Sequence, residues 1–395
     1  MRISYLLSGW GRTGGSMVLY KFMDKLCERG HTVHAITPDG RARWRTGFSS
    51  EIMRGFSKRP SLWARAKKRI RETSVGKQLL QWKEKPPLVQ LSGMSEALLR
   101  NWVEADITIA TYCATAYAGW ALCEKTVPLY HMQAWEESFF ADEFRRSMAR
   151  LTYRLPLGLI ANSTWLQQTV RERVGRESWL LLPGVDTRLF RPRGNLREKF
   201  SAPRRVRIVS YYSPHTFKGW PDGLEAMKKV FAQVGPERLE WLVYGGTPRA
   251  RVDLPVQFVG TVFGEALAAL YSSAHIVFMS SWFESFPLPP IEAMASGAAV
   301  VVTGVGTEDY ALDGVNALVT PARQPERLAS AILDLIADPA KAHRLAVEGR
   351  CAAEHLTWDR AADNLESIVQ ATNKGTRIQC QLTGKNTALS GAVLC

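Results

Sequence analysis

Two glutamates with seven residues between them are the side chains in this sequence best placed to do chemistry. Glu284 precedes a Ser-Phe-Pro-Leu segment, and Glu292 closely follows two consecutive prolines. A carboxylate accepts hydrogen bonds from the hydroxyl groups of a ligand, such as those of a ribose. Near the amino end of a helix a carboxylate also interacts favourably with the helix dipole, so Glu292 has a purely structural interpretation as well.

The residues around the two glutamates predict a strand, a loop, a helix and a second strand. Residues 275–280 and 298–303 are short apolar runs, as expected of buried parallel strands. Pro289 and Pro290 favour the first turn of a helix, and Glu292 is expected in that turn. In such a βαβ unit the loop lies at the carboxyl edge of the sheet, where α/β folds bind ligands.

Two further loops follow apolar runs and are candidates for ligand binding. Lys218 precedes a glycine shortly after the run 206–211, although a lone lysine in a loop is otherwise simply solvated. Near the start of the chain, the run 3–8 leads into a glycine-rich segment that contains Gly14 and Gly15. Glycine is needed where φ is positive or where a ligand crowds the backbone.

The sequence resembles the retaining glycosyltransferases of family 4, which have the GT-B fold. The resemblance rests on the Glu-x7-Glu spacing of Glu284 and Glu292 and on the segment 183–192, which is similar to the family's linker into the second domain. It covers residues 1–372 and implies an α/β protein with two facing, doubly wound parallel-sheet domains and a cleft between them. It also implies a nucleotide-diphosphate sugar as donor, a separate glycosyl acceptor, front-face transfer, and no metal or other cofactor.

The resemblance assigns roles to particular side chains. Lys218 is expected to bind the diphosphate of the donor and to offset charge on the departing nucleotide. The expected catalytic residues are Lys218, Glu284 and His131. Glu292 is expected to hold the ribose. The predicted donor-binding residues are Gly14, Gly15, Lys218, Phe286, Leu288 and Glu292.

Three departures from the family pattern leave questions open. Tyr212 and Ser213 stand where relatives carry a phosphate-binding arginine, and either His215 or a distant arginine is expected to replace it. Pro287 has no N–H, so the amides of Phe286 and Leu288 are expected to carry more of the donor contact. Finally, Gln133 occupies the position of a family histidine, with His131 two residues earlier, and either residue is a candidate to contact donor or acceptor.

Length and composition predict two soluble domains. The chain has 395 residues, of which 46% are hydrophobic and 22% charged. We expect an acceptor-side domain over 1–183, a nucleotide-sugar domain over 184–357, a helix over 358–372 that returns to the first domain, and a disordered tail over 373–395. No apolar run approaches the roughly 20 residues that span a bilayer, and the six cysteines form no Cys-x-x-Cys motif, so we expect a cytoplasmic protein without a zinc site.

The net charge of +14 is concentrated in the segment 41–85, which has 14 basic and three acidic residues. We interpret this segment as an acceptor-side surface, with Arg65 and Lys68 as contact residues, or as a peripheral contact to the inner face of an anionic membrane. A solvated helix is the structural alternative. No nucleic-acid motif accompanies the charge, so no nucleic-acid partner is expected.

Two other functions remain open at this point. A nucleotide-sugar hydrolase or epimerase of the same fold would use the same nucleotide site without a specific acceptor. A basic nucleic-acid or membrane-binding protein with a degenerate pocket would show steep salt dependence and no response to nucleotide diphosphates.

Overall fold

The computed structural model of the chain describes residues 1–11, 13–55, 87–201, 203–248 and 251–373. These residues form two compact units. The first contains residues 1–162 and 166–181 together with the helical residues from 361 onward, and the second contains 163–165 and 182–360. Arg65, Lys68 and the rest of the basic segment beyond residue 55 lie outside the described residues, as does the chain after residue 373.

The first unit is built on a seven-stranded sheet with the strand order β3-β2-β1-β4-β5-β6-β7. Its strands are β1 (Arg2–Leu6), β2 (Thr32–Thr37), β3 (Gly40–Arg43), β4 (Ile107–Ala110), β5 (Val127–Met132), β6 (Gly158–Ala161) and β7 (Trp179–Leu180). Apart from β3, every neighbouring pair is parallel. The central strands are largely apolar and buried because helices cover both faces of such a sheet.

The edge strand β3 differs from the expected all-parallel sheet. It pairs antiparallel with β2, with Ala42 opposite Ala35, through a tight connection at residues 38 and 39. This strand has no apolar run that would predict it, because Gly-Arg-Ala-Arg alternates exposed arginines with small residues. This hairpin carries the chain into Trp44 and the short helix that follows.

The helices of the first unit follow the strands in alternation. They are α1 (Gly14–Glu28), α2 (Phe48–Gly55), α3 (Pro87–Asn101), α4 (Cys113–Ala121), α5 (Glu143–Thr152) and α6 (Thr164–Val174). Helix α1 begins at Gly14, inside the glycine-rich segment. The side chain of Thr13 caps it by accepting a hydrogen bond from the N–H of Ser16.

The second unit contains a six-stranded, entirely parallel sheet with the order β10-β9-β8-β11-β12-β13. Its strands are β8 (Val206–Tyr211), β9 (Leu239–Tyr244), β10 (Val256–Gly260), β11 (Ile276–Phe278), β12 (Ala299–Thr303) and β13 (Leu318–Thr320). Strands β8, β11 and β12 lie within two or three residues of the apolar runs 206–211, 275–280 and 298–303 that predicted them, because buried parallel strands are continuous apolar runs. Where β8 and β11 pair, the strand order reverses direction, and α/β sheets bind ligands at such a point.

The helices of this unit divide between the two faces of the sheet. They are α7 (Leu196–Phe200), α8 (Trp220–Val234), α9 (Gly264–Ser273), α10 (Leu288–Ala295), α11 (Pro325–Ala337) and α12 (Pro339–His355). Val277 packs with α9 and α10, whereas its neighbour Phe278 packs with α8 and α11. Successive residues of a strand point to opposite faces, so each strand stabilises both cores.

The last described helix is α13 (Trp358–Asn373), and its residues from 361 onward join the first unit. Arg29, at the end of α1, donates to Asp363 at 2.5 Å and lies 3.4 Å from Glu366. Glu366 also lies 3.2 Å from the ring of His31, so His31 has a structural contact here.

No helix within the described ranges has the length and apolar content needed to cross a membrane.

Candidate active site

The structure brings together Lys218 and Glu284, which are 66 positions apart in the sequence. The ammonium group of Lys218 donates to a carboxylate oxygen of Glu284 over 2.6 Å. The lysine side chain is 22% exposed and the glutamate side chain 11% exposed, so the pair is partly shielded from water and open on one side. A cation and a carboxylate so placed can contact a phosphate group and sugar hydroxyls of one ligand.

The loop after β8 holds Lys218 at the carboxyl edge of the second sheet. A short 3-10 turn (Thr216–Lys218) ends at Gly219, which has a φ of +64°. A β-carbon at Gly219 would lie 1.8 Å from the carbonyl oxygen of Ser280, so only glycine fits between this loop and the chain after β11. Helix α8 begins directly afterwards, and the ammonium group of Lys218 lies 5.2 Å from the ring centre of Phe217.

Trp282 joins the loop of Lys218 to the loop of Glu284. Its backbone N–H donates to the carbonyl oxygen of Phe217 at 2.7 Å, and its indole N–H donates to Asp222 on α8 at 2.6 Å. Phe283 stacks on Phe217 with ring centres 5.1 Å apart. Two loops that share these contacts move as one body, which fixes the distance between Lys218 and Glu284.

A third loop, after β12, supports the backbone of Glu284 from the other side. The N–H of Glu284 donates to the carbonyl oxygen of Val305 at 3.2 Å. Gly306 has a φ of +83°, and a β-carbon there would lie 2.2 Å from the carbonyl oxygen of Glu284. The hydroxyl of Tyr310 donates to the carbonyl oxygen of Pro287 at 3.0 Å. The segment 284–287 is therefore held on both sides before any ligand binds.

The sequence predicted Glu292 in the first turn of α10, but Glu292 lies in the second turn. The helix begins at Leu288, so Pro289 and Pro290 occupy its second and third positions. Prolines are tolerated there because the first N–H groups of a helix have no partner within it. Glu292 lies near the buried, hydrogen-bonded hydroxyls of Tyr244 and Tyr271. Burial, and to a smaller extent the charge of Glu292, raises the pKa of both tyrosines, so they remain neutral hydrogen-bonding groups.

The amides that the sequence assigned to the donor follow directly after Glu284. The ring of Phe286 is buried against Tyr310, with ring centres 5.2 Å apart, and Leu288 opens α10. Pro287 lies between them, so the backbone offers N–H groups at 286 and 288 and none at 287. Their contact to a donor stays a prediction.

No arginine stands next to Lys218 in the described part of the second unit, but Arg323 reaches the same loop system. Its guanidinium group lies 4.1 Å from the ring centre of Trp282, which is a close cation–π contact. Arg323 is the non-glycine residue with positive φ, +60°, among the described residues. Sequence analysis missed Arg323 because nothing in its local pattern indicates the stacking. His215 stacks on Phe217 instead, at 5.7 Å.

In the first unit, Gly14 and Gly15 are the first residues of α1, whereas the sequence predicted that they lie in the glycine-rich loop. A β-carbon on Gly14 would meet nothing within 4 Å, whereas one on Gly15 would lie 3.8 Å from the side chain of Gln133. Both polar atoms of the Gln133 amide are buried and have no hydrogen-bond partner in the described structure. The structure thus brings Gly15 and Gln133 together at the amino end of α1.

His131 is fully buried in β5, which differs from the expected place at an open strand end. Its ring packs edge-on against Phe22 at 5.4 Å, and neither nitrogen has a partner among the described residues. Burial lowers its pKa to about 3, so the ring is neutral at physiological pH. A neutral, enclosed imidazole does not donate a proton to a ligand.

Within the described ranges, no group of three or more His, Cys, Asp or Glu side chains is arranged to hold a metal ion. A shallow cavity of about 500 Å³ lies along β13 and α11 and is lined by Thr320, Gln324 and Arg327 among others. It contains none of the predicted site residues, and it lies beside an edge strand instead of at the point where the strand order reverses.

Comparisons with known proteins find glycosyltransferases among the similar sequences. Residues 205–338 match the family described as glycosyl transferases group 1. A D-inositol 3-phosphate glycosyltransferase of Rhodococcus opacus is 29% identical over 237 residues, which cover 54% of this chain and 53% of that protein. A GDP-mannose-dependent alpha-(1-6)-phosphatidylinositol dimannoside mannosyltransferase of Mycobacterium tuberculosis is 27% identical over 52% of this chain and 56% of its own. The matches thus span about half the length of these relatives.

The solved structure of Anabaena Alr3699/HepE in complex with UDP and glucose is similar over 94% of this chain and 100% of its own. The TM-score is 0.70 at 17% sequence identity. Similarity at this identity shows the fold, and it confirms the predicted GT-B class with two Rossmann-like units. The family match confirms the resemblance for the second unit, where Lys218, Glu284 and Glu292 lie.

Proposed function

We propose that this chain, in which residues 205–338 form a group 1 glycosyltransferase domain, moves a sugar from a nucleotide-diphosphate donor to an acceptor with retention of anomeric configuration. The observation that carries the proposal is the contact between Lys218 and Glu284 at the carboxyl edge of the second sheet. A cation for the diphosphate and a carboxylate for sugar hydroxyls would stand on either side of the glycosidic bond that breaks.

Lys218 would change partner when the donor binds. In the structure its ammonium group is paired with Glu284. A diphosphate carries more negative charge than one carboxylate and would attract the lysine, and this would leave Glu284 free to accept hydrogen bonds from the sugar. As the bond from the anomeric carbon to the phosphate oxygen breaks, negative charge grows on the diphosphate. Lys218 then stabilises the transition state more than the ground state.

The ribose of the donor would bind at Glu292. Its carboxylate lies on α10 beside the neutral pair Tyr244 and Tyr271, and a carboxylate accepts hydrogen bonds from both hydroxyls of a ribose. The names of similar proteins support a nucleotide donor: one is a GDP-mannose-dependent enzyme, and another was solved with UDP. Because these differ in the base, the proposal specifies a nucleoside diphosphate without fixing its base.

Transfer would proceed on one face of the sugar and without a metal. The acceptor hydroxyl attacks the anomeric carbon from the same side on which the diphosphate departs. The proton of the acceptor hydroxyl passes to the departing phosphate oxygen. The neutral and enclosed His131 is consistent with a reaction that needs no side chain as strong base. Lys218 and the N–H groups of Phe286 and Leu288 would neutralise the diphosphate, the role that a metal plays in other glycosyltransferases.

The first unit would hold the acceptor. Gly15 and Gln133 come together at the amino end of α1. The basic segment 41–85, with Arg65 and Lys68, would bind an anionic acceptor or an anionic membrane on the cytoplasmic side. This part of the proposal rests on charge, since most of the segment lies outside the described residues.

The test has a binding step and a transfer step. Thermal unfolding is measured with UDP, GDP, ADP and dTDP. At least one nucleotide should raise the unfolding midpoint of the wild type. The control variant Lys228→Ala, which replaces a surface lysine paired with Glu225, should show the same rise. The sugar donor of that base is then supplied with glycoside acceptors, and NMR reads the anomeric configuration of the product.

Three outcomes would contradict the proposal in different ways. No stabilisation by any of the four nucleotides would remove the nucleotide site. An inverted product would remove the retaining mechanism. Donor cleavage that proceeds equally fast without any acceptor would favour the hydrolase alternative.

A further inference from the structure

A stack of aromatic side chains stands beside the glycine-rich loop of the first unit. Trp10, in the loop after β1, lies nearly parallel to Trp44, with ring centres 6.2 Å apart and an angle of 15°. Tyr20 and Phe48 complete the cluster at 5.4 Å and 4.9 Å from the Trp44 ring. Trp44 is 3% exposed, whereas Trp10 is 37% exposed. The stack therefore has a closed base and an open top.

The base of the stack is rigid. The indole N–H of Trp44 donates to the buried carboxylate of Asp24 at 2.8 Å, and the hydroxyl of Ser49 donates to the same carboxylate. Asp24 lies on α1, so the segment after β3 is fastened to that helix. A buried carboxylate is retained where its hydrogen bonds are satisfied, so these contacts fix the plane of Trp44.

The glycine-rich loop is fastened to the same stack. The hydroxyl of Tyr20 donates to the carbonyl oxygen of Gly11 at 3.1 Å and accepts from its N–H at 3.1 Å. Gly11 also lies against Ser16 in the first turn of α1. Trp10 thus presents its indole from a loop that is held on both sides, and ordering this side chain costs little when a ligand arrives.

A polar group without a partner lies at the other end of the same loop. The amide of Gln133 is next to Gly15, and both of its polar atoms are buried without a hydrogen-bond partner among the described residues. A buried amide without hydrogen bonds is costly, so it indicates a ligand with donors and acceptors. An exposed indole face indicates the opposite kind of surface, one that is flat and apolar.

We propose that Trp10 forms a subsite for the acceptor and that the group it recognises is a pyranose ring. A pyranoside has both required surfaces: its axial C–H groups form a flat apolar face, and hydroxyls line its rim. The C–H face would lie on the indole of Trp10, and a rim hydroxyl would reach the amide of Gln133. The inference rests on the proposed function, because it takes the first unit as the acceptor side, and it specifies the acceptor as a glycoside.

The subsite makes Trp10 a specificity-determining residue and not a catalytic one. Stacking is sensitive to a flat aromatic face and insensitive to charge. Phenylalanine at position 10 should therefore preserve most of the binding, whereas leucine should cover Trp44 without providing a flat face. A purely structural role for Trp10 would make phenylalanine and leucine equivalent.

The experiment uses the full chain and saturation-transfer NMR with methyl β-D-glucopyranoside, methyl α-D-mannopyranoside and myo-inositol as probes. In the wild type, saturation should reach the ring C–H protons of at least one pyranoside. The transfer should fall at least about tenfold in Trp10→Ala and Trp10→Leu and less than about threefold in Trp10→Phe. Trp120→Ala is the matched control, because Trp120 is 46% exposed in the same unit and lies outside the stack.

The same samples separate the inference from the proposed function. Stabilisation by nucleoside diphosphates tests the donor site in the second unit and should be unchanged in every Trp10 variant. The inference is overturned if the wild type transfers saturation to neither pyranoside, if Trp10→Leu matches Trp10→Phe, or if Trp120→Ala loses as much as Trp10→Ala. Transfer to myo-inositol with none to the pyranosides would also overturn it in favour of a cyclitol acceptor.

Discussion

At the residue scale, the contact between Lys218 and Glu284 decides what a donor meets when it arrives. Both side chains are largely shielded, so each would leave an uncompensated charge if the other were removed. The pair therefore holds both side chains in position before binding. Trp282 and its partners Phe217 and Asp222 hold the pair from behind, and Arg323 covers the outer face of Trp282.

Replacing Lys218 by alanine should lower turnover more than it raises the Michaelis constant of the donor. The lysine is proposed to act on charge that grows as the bond breaks, and a contact of this kind is worth roughly 10²- to 10³-fold in kcat. Steady-state kinetics on Lys218→Ala, with Lys228→Ala as control, measure the difference. A rise in the Michaelis constant alone would restrict Lys218 to ground-state binding.

Replacing Glu292 by alanine should weaken nucleotide binding at least about tenfold. A hydrogen bond to a charged group contributes about 1.5–3 kcal/mol, which corresponds to that change in affinity. Calorimetric titration of the stabilising nucleotide measures it, with Glu354→Ala as control because Glu354 pairs with Arg350 on the surface of α12. Equal affinities for the two folded variants would remove Glu292 from the ribose site.

At the element scale, the site consists of three loops at the carboxyl edge of one sheet. The loops after β8, β11 and β12 contact one another through backbone groups, and two glycines with positive φ, Gly219 and Gly306, permit the approach. Backbone contacts of this kind leave no room for a side chain. The loops are therefore sensitive to small substitutions that an exposed loop would tolerate.

The substitution Gly219→Ala should destabilise the second unit by at least about 2 kcal/mol. Its β-carbon would lie 1.8 Å from the carbonyl oxygen of Ser280, and its φ of +64° is unfavourable for alanine. The control is Gly194→Ala, where a β-carbon would meet nothing within 4 Å and φ is not positive. Urea unfolding of the two variants should differ by that amount, and similar stabilities would mean that the loops yield freely.

At the scale of the whole molecule, each unit has its own core, and the first core encloses ionisable groups. Glu136 is fully buried and accepts from the N–H of Cys113 at the start of α4, while its second carboxylate oxygen has no partner in the described structure. Burial raises its pKa to about 7. Tyr130 and Tyr153 surround it, and their own pKa values are raised by burial, so they stay neutral.

The stability of the first unit should carry a pH dependence that Glu136→Gln removes. The folded pKa of about 7 lies above the ordinary value of 4.5, so the folded state keeps the proton longer than the unfolded state does. Glu136 therefore costs stability as the pH rises from about 4.5 to 7, by roughly 3 kcal/mol in all.

Urea unfolding at pH 5 and pH 8 checks this dependence. Glu136→Gln should gain stability over the wild type at pH 8 relative to pH 5, whereas Glu96→Gln, an exposed glutamate paired with Arg100, should track the wild type. Parallel pH profiles for Glu136→Gln and the wild type would show that Glu136 is not the responsible group.

The basic segment should attach the chain to anionic vesicles. Its 14 basic residues against three acidic ones, each worth about 1 kcal/mol near an anionic surface, suffice for reversible binding at low salt. Sedimentation with neutral and anionic vesicles at two salt concentrations tests this in the wild type and in a variant with Arg65, Lys67, Lys68, Arg69 and Arg71 changed to glutamine. Absence of binding to anionic vesicles at low salt would contradict the membrane contact. A transfer assay would then test whether the segment binds the acceptor.

The sequence alone determined most of the strands, the two-sheet class and the loops that carry Lys218, Glu284 and Glu292. Buried parallel strands are continuous apolar runs, and prolines and glycines mark where helices begin and end, so these features can be read locally. The edge strand β3 escaped because its residues are exposed and polar. The position of Glu292 in the second turn of α10 was not predicted. The helix begins at Leu288, before its two prolines, and not at the prolines themselves.

Only the tertiary structure decided which side chains meet. Lys218 and Glu284 are 66 positions apart, and neither the 2.6 Å contact between them nor the stacking of Arg323 on Trp282 has a local signal. The same holds for Trp10 above Trp44 and for the burial of His131, which looked accessible as the end of a strand. Contacts of this kind are set by the packing of segments distant in sequence, so periodicity and spacing do not contain them.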